Sequence, residues 1–262
     1  MLQVETIDKK KSNFNRLKVE VAKVFPELND YELEKIVERN ICTNVFSEKK
    51  DIEDWFKKII ESSNVSVEEI NVNDCDSWNV DKNGNISHDS GGFFKIIGLR
   101  TKNSTTREVG NQGWDQPIVS EINNDGGILG LVRSYIEGLP HYLVEAKFEP
   151  GNYGFVQLSP TLQATFSNIN KAHGGRLPNY YEFFKDYEAS QEDYLFNQWL
   201  NEDGGRLNKK RNRGLVKNVA YEDIQLENQN FAWLSFHQIN QFINQGNYVN
   251  PHLARLIYLI SC

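Results

Sequence analysis

A lysine stands between two glutamates in "EAKFE", with Glu145, Lys147 and Glu149 at every second position. In an extended strand that spacing puts all three on one face, together with His141 and Leu143. Tyr142, Val144, Ala146 and Phe148 take the other face. A carboxylate can remove a proton, and an ammonium can return one or steady a developing negative oxygen; acid and base roles are each worth about 10² to 10⁴ in rate. The chain is then expected to turn at "EPGN", where Pro150 presets φ and Gly151 suits the positive-φ position of a type II turn. It returns as "VQLSPTLQATFSN", with Thr161, Gln163, Thr165 and Ser167 on one side and Leu162, Ala164 and Phe166 on the other. If the two strands are neighbours, their polar faces merge into one patch. That patch reads in two ways, as a solvated sheet face or as a pocket for a hydroxyl-rich ligand, because amides and hydroxyls donate and accept at short range.

The basic run "KKRNR", Lys209 to Arg213, is open in the same way. It can be a solvated strand, or it can clamp a diphosphate with the planar forks of Arg211 and Arg213. "NEDGGR", ending at Arg206, reads as a tight acidic turn that stops a helix. Trp78, Trp114 and Trp199 suit a core better than a base-stacking platform. His141 and His173 lack a partnered Cys or Ser motif, so no nucleophilic triad is supported. There is no HExxH, Walker or dinucleotide fingerprint; "GNYG" and "DGGILG" lack the strand-turn-helix context.

These residues need a scaffold, and the chain is long enough for one. Its 262 residues are 39% hydrophobic and 12% aromatic, a globular composition despite a mean hydropathy of −0.58. A net charge of −7 leaves no basic field for nucleic acid, so an anionic ligand must be met by a local basic cluster. No apolar run approaches the ~18 to 20 residues of a membrane span. The amino terminus, with "DKKK" and no apolar block after it, is not a signal peptide. Cys42, Cys75 and Cys262 lack metal-type spacing and read as reduced thiols of a cytoplasmic protein.

Residues 1–70 are expected to form a helical segment. Ile52, Trp55, Phe56, Ile59 and Ile60 share one face after a possible cap at Ser47, and Tyr31, Leu33, Ile36 and Val37 share another after a possible cap at Asp30. This hairpin or small bundle is expected to pack or dimerise. "NDCDSWNVDKNGN" marks a boundary near residue 70. From Phe93 the text is strand-like in "FFKIIGLRT", "TREVGNQGWDQPIV", "HYLVEAKFE" and "FVQLSPTLQATF". Helical spacing is expected again over 179–200, a basic strand in "RLNKKRNRGLVKNV", and closing helices in "AWLSFHQINQFINQG" and "NPHLARLIYLI". Strands first and helices later favour an α+β fold over a doubly wound sheet.

The order of segments carries more than any one of them. "REVGNQGWDQP", "AKFEPGN", "VQLSPTLQATFSN" and "HGG" are followed by "NYYEFF", "EDGG", "KRNR", "FAWLSFHQINQFI" and "VNPHLARLIYLI". This resembles the nucleotide-diphosphate-hexose 2,3-dehydratases of deoxysugar biosynthesis over roughly residues 76–262. The resemblance implies a Nudix-like mixed sheet sandwiched by helices over 71–262, without the helix that holds Mg²⁺ in Nudix hydrolases. It implies a lyase acting on a nucleotide-linked 4-keto-6-deoxyhexose, with no cofactor and no metal. Within it, Lys147 is expected to donate to the enolate oxygen or leaving hydroxyl. Glu149 is the preferred base, with Glu145 or His141 in reserve, and Tyr181 a possible acid. Gln163, Thr165 and Asn168 would hold sugar hydroxyls. Arg211 and Arg213 would hold the diphosphate, Arg206 and Asn212 would bind substrate beside them, and Trp114 and Gln116 would contact the nucleotide base. Members typically carry two copies of the module, and this chain shows one, so a homodimer with two equivalent sites is expected. Phe166, where members commonly have Arg, and Leu200–Asn201, where they have Gln-Ser, leave a binding-only subunit as the alternative, and a metal-dependent hydrolase as a more distant one.

Overall fold

In the computed structural model, residues 6–46, 48–102, 113–122, 126–171 and 174–259 are described. Ser47, His173, Cys262 and most of "REVGNQG" lie outside them.

Three helices open the chain. In α1 (Ile7–Val24) the Thr6 hydroxyl caps the first turn. In α2 (Asp30–Asn40) the cap is Asn29 rather than Asp30. Asn29 and Glu32 form a reciprocal capping box, which satisfies two amide donors instead of one and leaves Asp30 as the first helical residue. In α3 (Lys49–Ser62) three residues of the expected stripe, Ile52, Phe56 and Ile59, are buried and Trp55 partly so, whereas Ile60 is exposed.

The remaining chain forms two sheets. β1 (Trp78–Val80), β2 (Ile86–His88), β3 (Phe94–Thr101) and β4 (Trp114–Glu121) make an antiparallel meander. The larger sheet has β5 (Gly127–Ile136), β6 (Leu139–Phe148), β7 (Val156–Pro160), β8 (Leu162–Thr165), β9 (Tyr194–Asn201), β10 (Arg211–Asn218) and β11 (Phe231–Leu234). Its path runs β11-β6-β5-β10-β9; β7 also pairs with β6, and β8 with β5. β10 runs parallel to β5 and every other pair is antiparallel, so the sheet is mixed and the class is α+β. Three helices accompany it, the single turn α4 (Phe166–Ile169), then α5 (Phe236–Asn244) and α6 (Pro251–Leu259).

Three expectations are corrected. "GILGLVRSYI" carried no strand expectation, yet it is β5, the central strand; its first six residues are apolar and its burial runs on both faces through Ser134, so there is no alternation to read. Residues 179–200 are not a helix but short 3₁₀ turns at Tyr181–Phe183 and Gln191–Asp193 followed by β9. Ladder bonding to β10 overrides the local spacing there. Likewise Ala232 to Leu234 belong to β11, and the helix starts only after Ser235, whose hydroxyl and Gln238 form its capping box.

The amino-terminal helices close over the large sheet. Tyr31, Ile52, Phe56 and Ile59 share one core with Leu131, Val144, Leu158 and Val216 of the strands and with Phe236, Ile239 and Leu256 of α5 and α6. A polar bolt adds to this contact. Arg133 of β5, fully buried, donates to Glu34 and Glu38 of α2 at 2.8 Å each. Tyr135 and Tyr142 donate to the same carboxylates, and Lys18 of α1 pairs with Glu34. Burial pushes the Glu34 carboxyl up, but Arg133, Lys18 and Tyr135 outweigh it and hold it below its ordinary value. For Glu38 burial wins over the same Arg133, and its carboxyl stands above the ordinary value.

The other decisive feature is a fork. β5 and β6 pair near their hairpin, up to Val132 opposite Leu143, and then separate. The strand 156–165 enters the gap, pairing first with β6 as β7 and then with β5 as β8. Thr161 sits at the crossing. Its hydroxyl accepts from the Val132 amide at 2.9 Å and donates to the Leu143 carbonyl at 2.5 Å. The polar face of β6 and that of β8 therefore meet without their strands being paired to each other, and Thr161, expected in the polar row, is buried as a stitch instead.

Candidate active site

The fork opens into a cleft of about 310 Å³ where the ends of β6 and β8, the approach to β10 and the first turn of α6 converge. Lys147, Glu149, Gln163, Thr165, Asn168, Lys210, Asn212 and His252 line it, over Leu129 and Ala164. Gln163 ties Lys147 to Glu149. Its main-chain carbonyl accepts from Lys147 Nζ at 2.8 Å, and its amide nitrogen donates to Glu149 Oε1 at 2.7 Å. Its amide oxygen in turn accepts from Asn250 Nδ2 at 2.8 Å.

Local sequence explains why those groups are held. In "VNPHL" Asn250 is the cap of α6 and Pro251 its first residue; the Asn250 side chain accepts from the Leu253 amide at 2.9 Å. Val249 bridges Leu158, whose carbonyl takes the Asn250 amide, so the helix start is tied to β7. Thr165 caps α4 by accepting from the Asn168 amide. The "EPGN" turn forms with the Asn152 amide on the Glu149 carbonyl, but Gly151 does not carry the positive φ. Gly154 and Phe155 carry it, so the expected type II geometry is corrected.

The basic segment meets the cleft by the opposite parity from the one expected. On β10, Asn212 points to the cleft and Lys210 reaches it, while Arg211 and Arg213 do not line it. Arg211 lies over the Trp199 ring at 4.3 Å, and Arg213 donates to Asn197 and lies near Tyr187 and Trp199. Asn212 instead donates to Glu202 Oε1 at 2.6 Å, and Lys210 pairs with Glu121.

Other expected site residues also lie elsewhere. His141 is buried beneath the amino-terminal segment, its ring bonded to the Val45 amide and beside the Leu139 carbonyl. Burial pushes its proton affinity down to about 4; the Leu139 carbonyl pulls the other way, and Lys10 and Arg133 lower it further. Glu145 shares the strand face but not the cleft lining; burial raises its carboxyl, Lys147 lowers it and Glu149 raises it. Tyr181 packs into the second core, beside Tyr180 and Phe184. Trp114, Gln116 and Arg206 belong to the small-sheet side, where Trp114 donates to Gln116 and Gln116 to the Gly205 carbonyl.

Sequence reasoning missed Lys210, Glu202 and His252. Each lies inside a quoted segment, "KKRNR", "EDGG" or "VNPHLARL", but parity and tertiary proximity were needed to single them out. Glu202 Oε1 lies 3.7 Å from His252 Nδ1 and 3.5 Å from Arg255 Nη1. The cleft thus sets one carboxylate, Glu149, beside two lysines and an imidazole, with Glu202 behind His252, a set able to move protons and meet an anion.

Comparison with known proteins gives the family. The family model for NDP-hexose 2,3-dehydratase matches residues 49–260. A dTDP-4-dehydro-6-deoxy-alpha-D-glucopyranose 2,3-dehydratase of Amycolatopsis orientalis is 32% identical over 204 residues, covering 77% of this chain and 42% of that protein. The protein of the same name from Saccharopolyspora spinosa is 33% identical over 197 residues, covering 75% and 39%. That from Streptomyces violaceoruber is 32% identical over 197 residues, covering 75% and 43%. The chain spans less than half the length of the curated relatives it matches.

Proposed function

The chain belongs to the NDP-hexose 2,3-dehydratase family, and from that premise we propose that its cleft removes water across carbons 2 and 3 of a nucleotide-linked 4-keto-6-deoxyhexose, first of all the dTDP-linked 6-deoxyglucose derivative. The ketone at carbon 4 acidifies the hydrogen at carbon 3. Glu149 removes that hydrogen, and the electron pair moves to the carbonyl oxygen, where the Lys147 ammonium steadies the enolate; such a donor is worth roughly 10² in rate. The enolate then expels the hydroxyl at carbon 2 as water, and the enol tautomerises to a 3,4-diketo-2,6-dideoxy sugar. Oxidation at carbon 3 is balanced by loss of the hydroxyl, so electrons balance within the substrate. Gln163, Thr165, Asn168 and Asn212 hold sugar hydroxyls, and Lys210 takes the diphosphate.

The observation that carries this reading is the Lys147–Gln163–Glu149 chain inside a cleft of a family-matched module. Incubation with dTDP-4-dehydro-6-deoxyglucose and mass spectrometry tests it. Loss of one water supports it; binding with no turnover would make the chain a nucleotide-sugar-binding subunit instead.

Finer features belong to the same proposal. A mixed sheet with helices packed on it supports the Nudix-like reading of the fold, and elimination of water makes the enzyme a carbon–oxygen lyase. Cys42 and Cys75, free thiols, support a reducing, cytoplasmic setting. A second copy of this chain is proposed as partner, because two-fold dimers are the commonest closed assembly. Light scattering should then report twice the 30.3 kDa chain mass.

A further inference from the structure

His252 enters the cleft from the first turn of α6 and is a titratable group with no part in the steps above. Its Nδ1 is buried without a hydrogen-bond partner among the described residues and turns toward Glu202, 3.7 Å away. That leaves Nε2 as the nitrogen available to a bound molecule. Charged groups face the ring from every side: Glu202 beyond the end of β9, Arg255 one turn along α6, Lys210 before β10 and Lys147 on β6. Burial lowers the ring's proton affinity most, Glu202 raises it, and Arg255, Lys210 and Lys147 lower it further, so the net shift is downward.

An anion in the cleft changes that balance. A diphosphate beside the lysines cancels their field at the imidazole, and Glu202 then favours the imidazolium. A base oriented by a carboxylate behind it is a recurring acid–base arrangement, and such contacts often tighten only when substrate is bound.

We propose that His252 is a catalytic residue of the dehydration, taking up a proton as the nucleotide sugar binds and delivering it from Nε2 to the carbon-2 hydroxyl as that group leaves, with Glu202 as its positioning residue. The proposal rests on the dehydratase reading of the site. Glu149 gains the carbon-3 proton. The electron pair passes through the enolate, the carbonyl reforms, a carbon 2–carbon 3 double bond forms and the carbon 2–oxygen bond breaks. The departing oxygen takes the His252 proton and leaves as water. Exchange with solvent then resets Glu149 and His252, and no oxidant or reductant enters.

Calorimetry with dTDP in two buffers of different ionisation enthalpy measures the proton taken up on binding near pH 7. The wild-type chain should take up more proton than His252→Gln, while the variant binds dTDP within about threefold, which also reports that it is folded. With dTDP-4-dehydro-6-deoxyglucose, His252→Gln should lose at least about a hundredfold in kcat, the scale of a lost general acid. Glu202→Gln should keep dTDP binding and move the alkaline fall of kcat to lower pH, because the imidazolium loses its carboxylate. Wild-type turnover matched by His252→Gln, or identical proton uptake in the two, overturns the role of His252 alone. A wild-type chain that binds dTDP but never releases water overturns the dehydratase reading and this role with it.

Discussion

Thr161→Val tests whether the fork between β5 and β6 is held by one hydroxyl. Valine keeps the shape of threonine and replaces the hydroxyl with a methyl, so packing changes little. The position is buried, and its hydroxyl satisfies the Val132 amide and the Leu143 carbonyl. The substitution leaves both main-chain groups without that partner, in a place water does not reach. A net hydrogen bond is worth roughly 0.5–1.5 kcal/mol, and an unsatisfied buried group costs about 1–3 kcal/mol. Two such groups give an expected loss of about 2–4 kcal/mol in urea-unfolding stability. Thr161→Ser, which keeps the hydroxyl and loses one methyl, should cost only about 1 kcal/mol. Since β7 and β8 diverge at this residue, Thr161→Val should also loosen Gln163 and lower turnover, whereas Thr161→Ser should retain it. A stability loss below about 0.5 kcal/mol, within the range of a neutral surface change, would mean the fork does not depend on this hydroxyl.

Four further outcomes are expected. Arg133→Leu removes the guanidinium from Glu34, which keeps Lys18, and from Glu38, which stays buried beside Tyr142 with no cation paired to it among the described residues, and should cost about 3–5 kcal/mol by chemical denaturation. His141, whose folded proton affinity is lowered by burial to about 4 from 6.5, keeps its full contribution above pH 6.5. The unfolded chain binds the extra proton below that, so stability should fall by up to about 3 kcal/mol between pH 6.5 and 4, and His141→Gln should flatten that part of the curve. Lys210→Ala should weaken dTDP binding by about 1.5–3 kcal/mol, the worth of a charge-assisted hydrogen bond, whereas Arg211→Ala, whose guanidinium lies over Trp199, should change calorimetric affinity little. Lys147→Ala should retain the fold by circular dichroism and lose at least about a hundredfold in kcat; near-normal turnover would remove Lys147 from the mechanism.

Much of the molecule follows from local chemistry. The helical stripe of Ile52, Phe56 and Ile59, the strands at 94–101, 139–148 and 211–218, and the Asn-Pro start of α6 are each written in a few neighbouring residues. Periodicity and capping act over a turn or two, so the chain carries them openly. The polar positions Lys147, Glu149, Gln163 and Thr165 were legible for the same reason, since alternation along a strand needs no knowledge of its neighbours, whereas Asn168, in the turn of α4, came only from the family resemblance. What alternation could not decide was which strands stand side by side. The central strand β5 was invisible because burial on both faces erases the pattern, and residues 194–201 became strand only by pairing with β10. The sides of β10 were settled by the sheet as well, which turned Asn212 to the cleft and Arg211 to Trp199. Glu202 and His252, fifty residues apart, meet only because the β9–β10 turn and the start of α6 reach the same end of the sheet. Sequence alone thus determined the family resemblance, the amino-terminal helices, several of the strands and one polar face of the cleft. The tertiary structure decided the membership of the site, because proximity between distant segments is set by long-range strand pairing and core packing, and neither leaves a mark on a short window of residues.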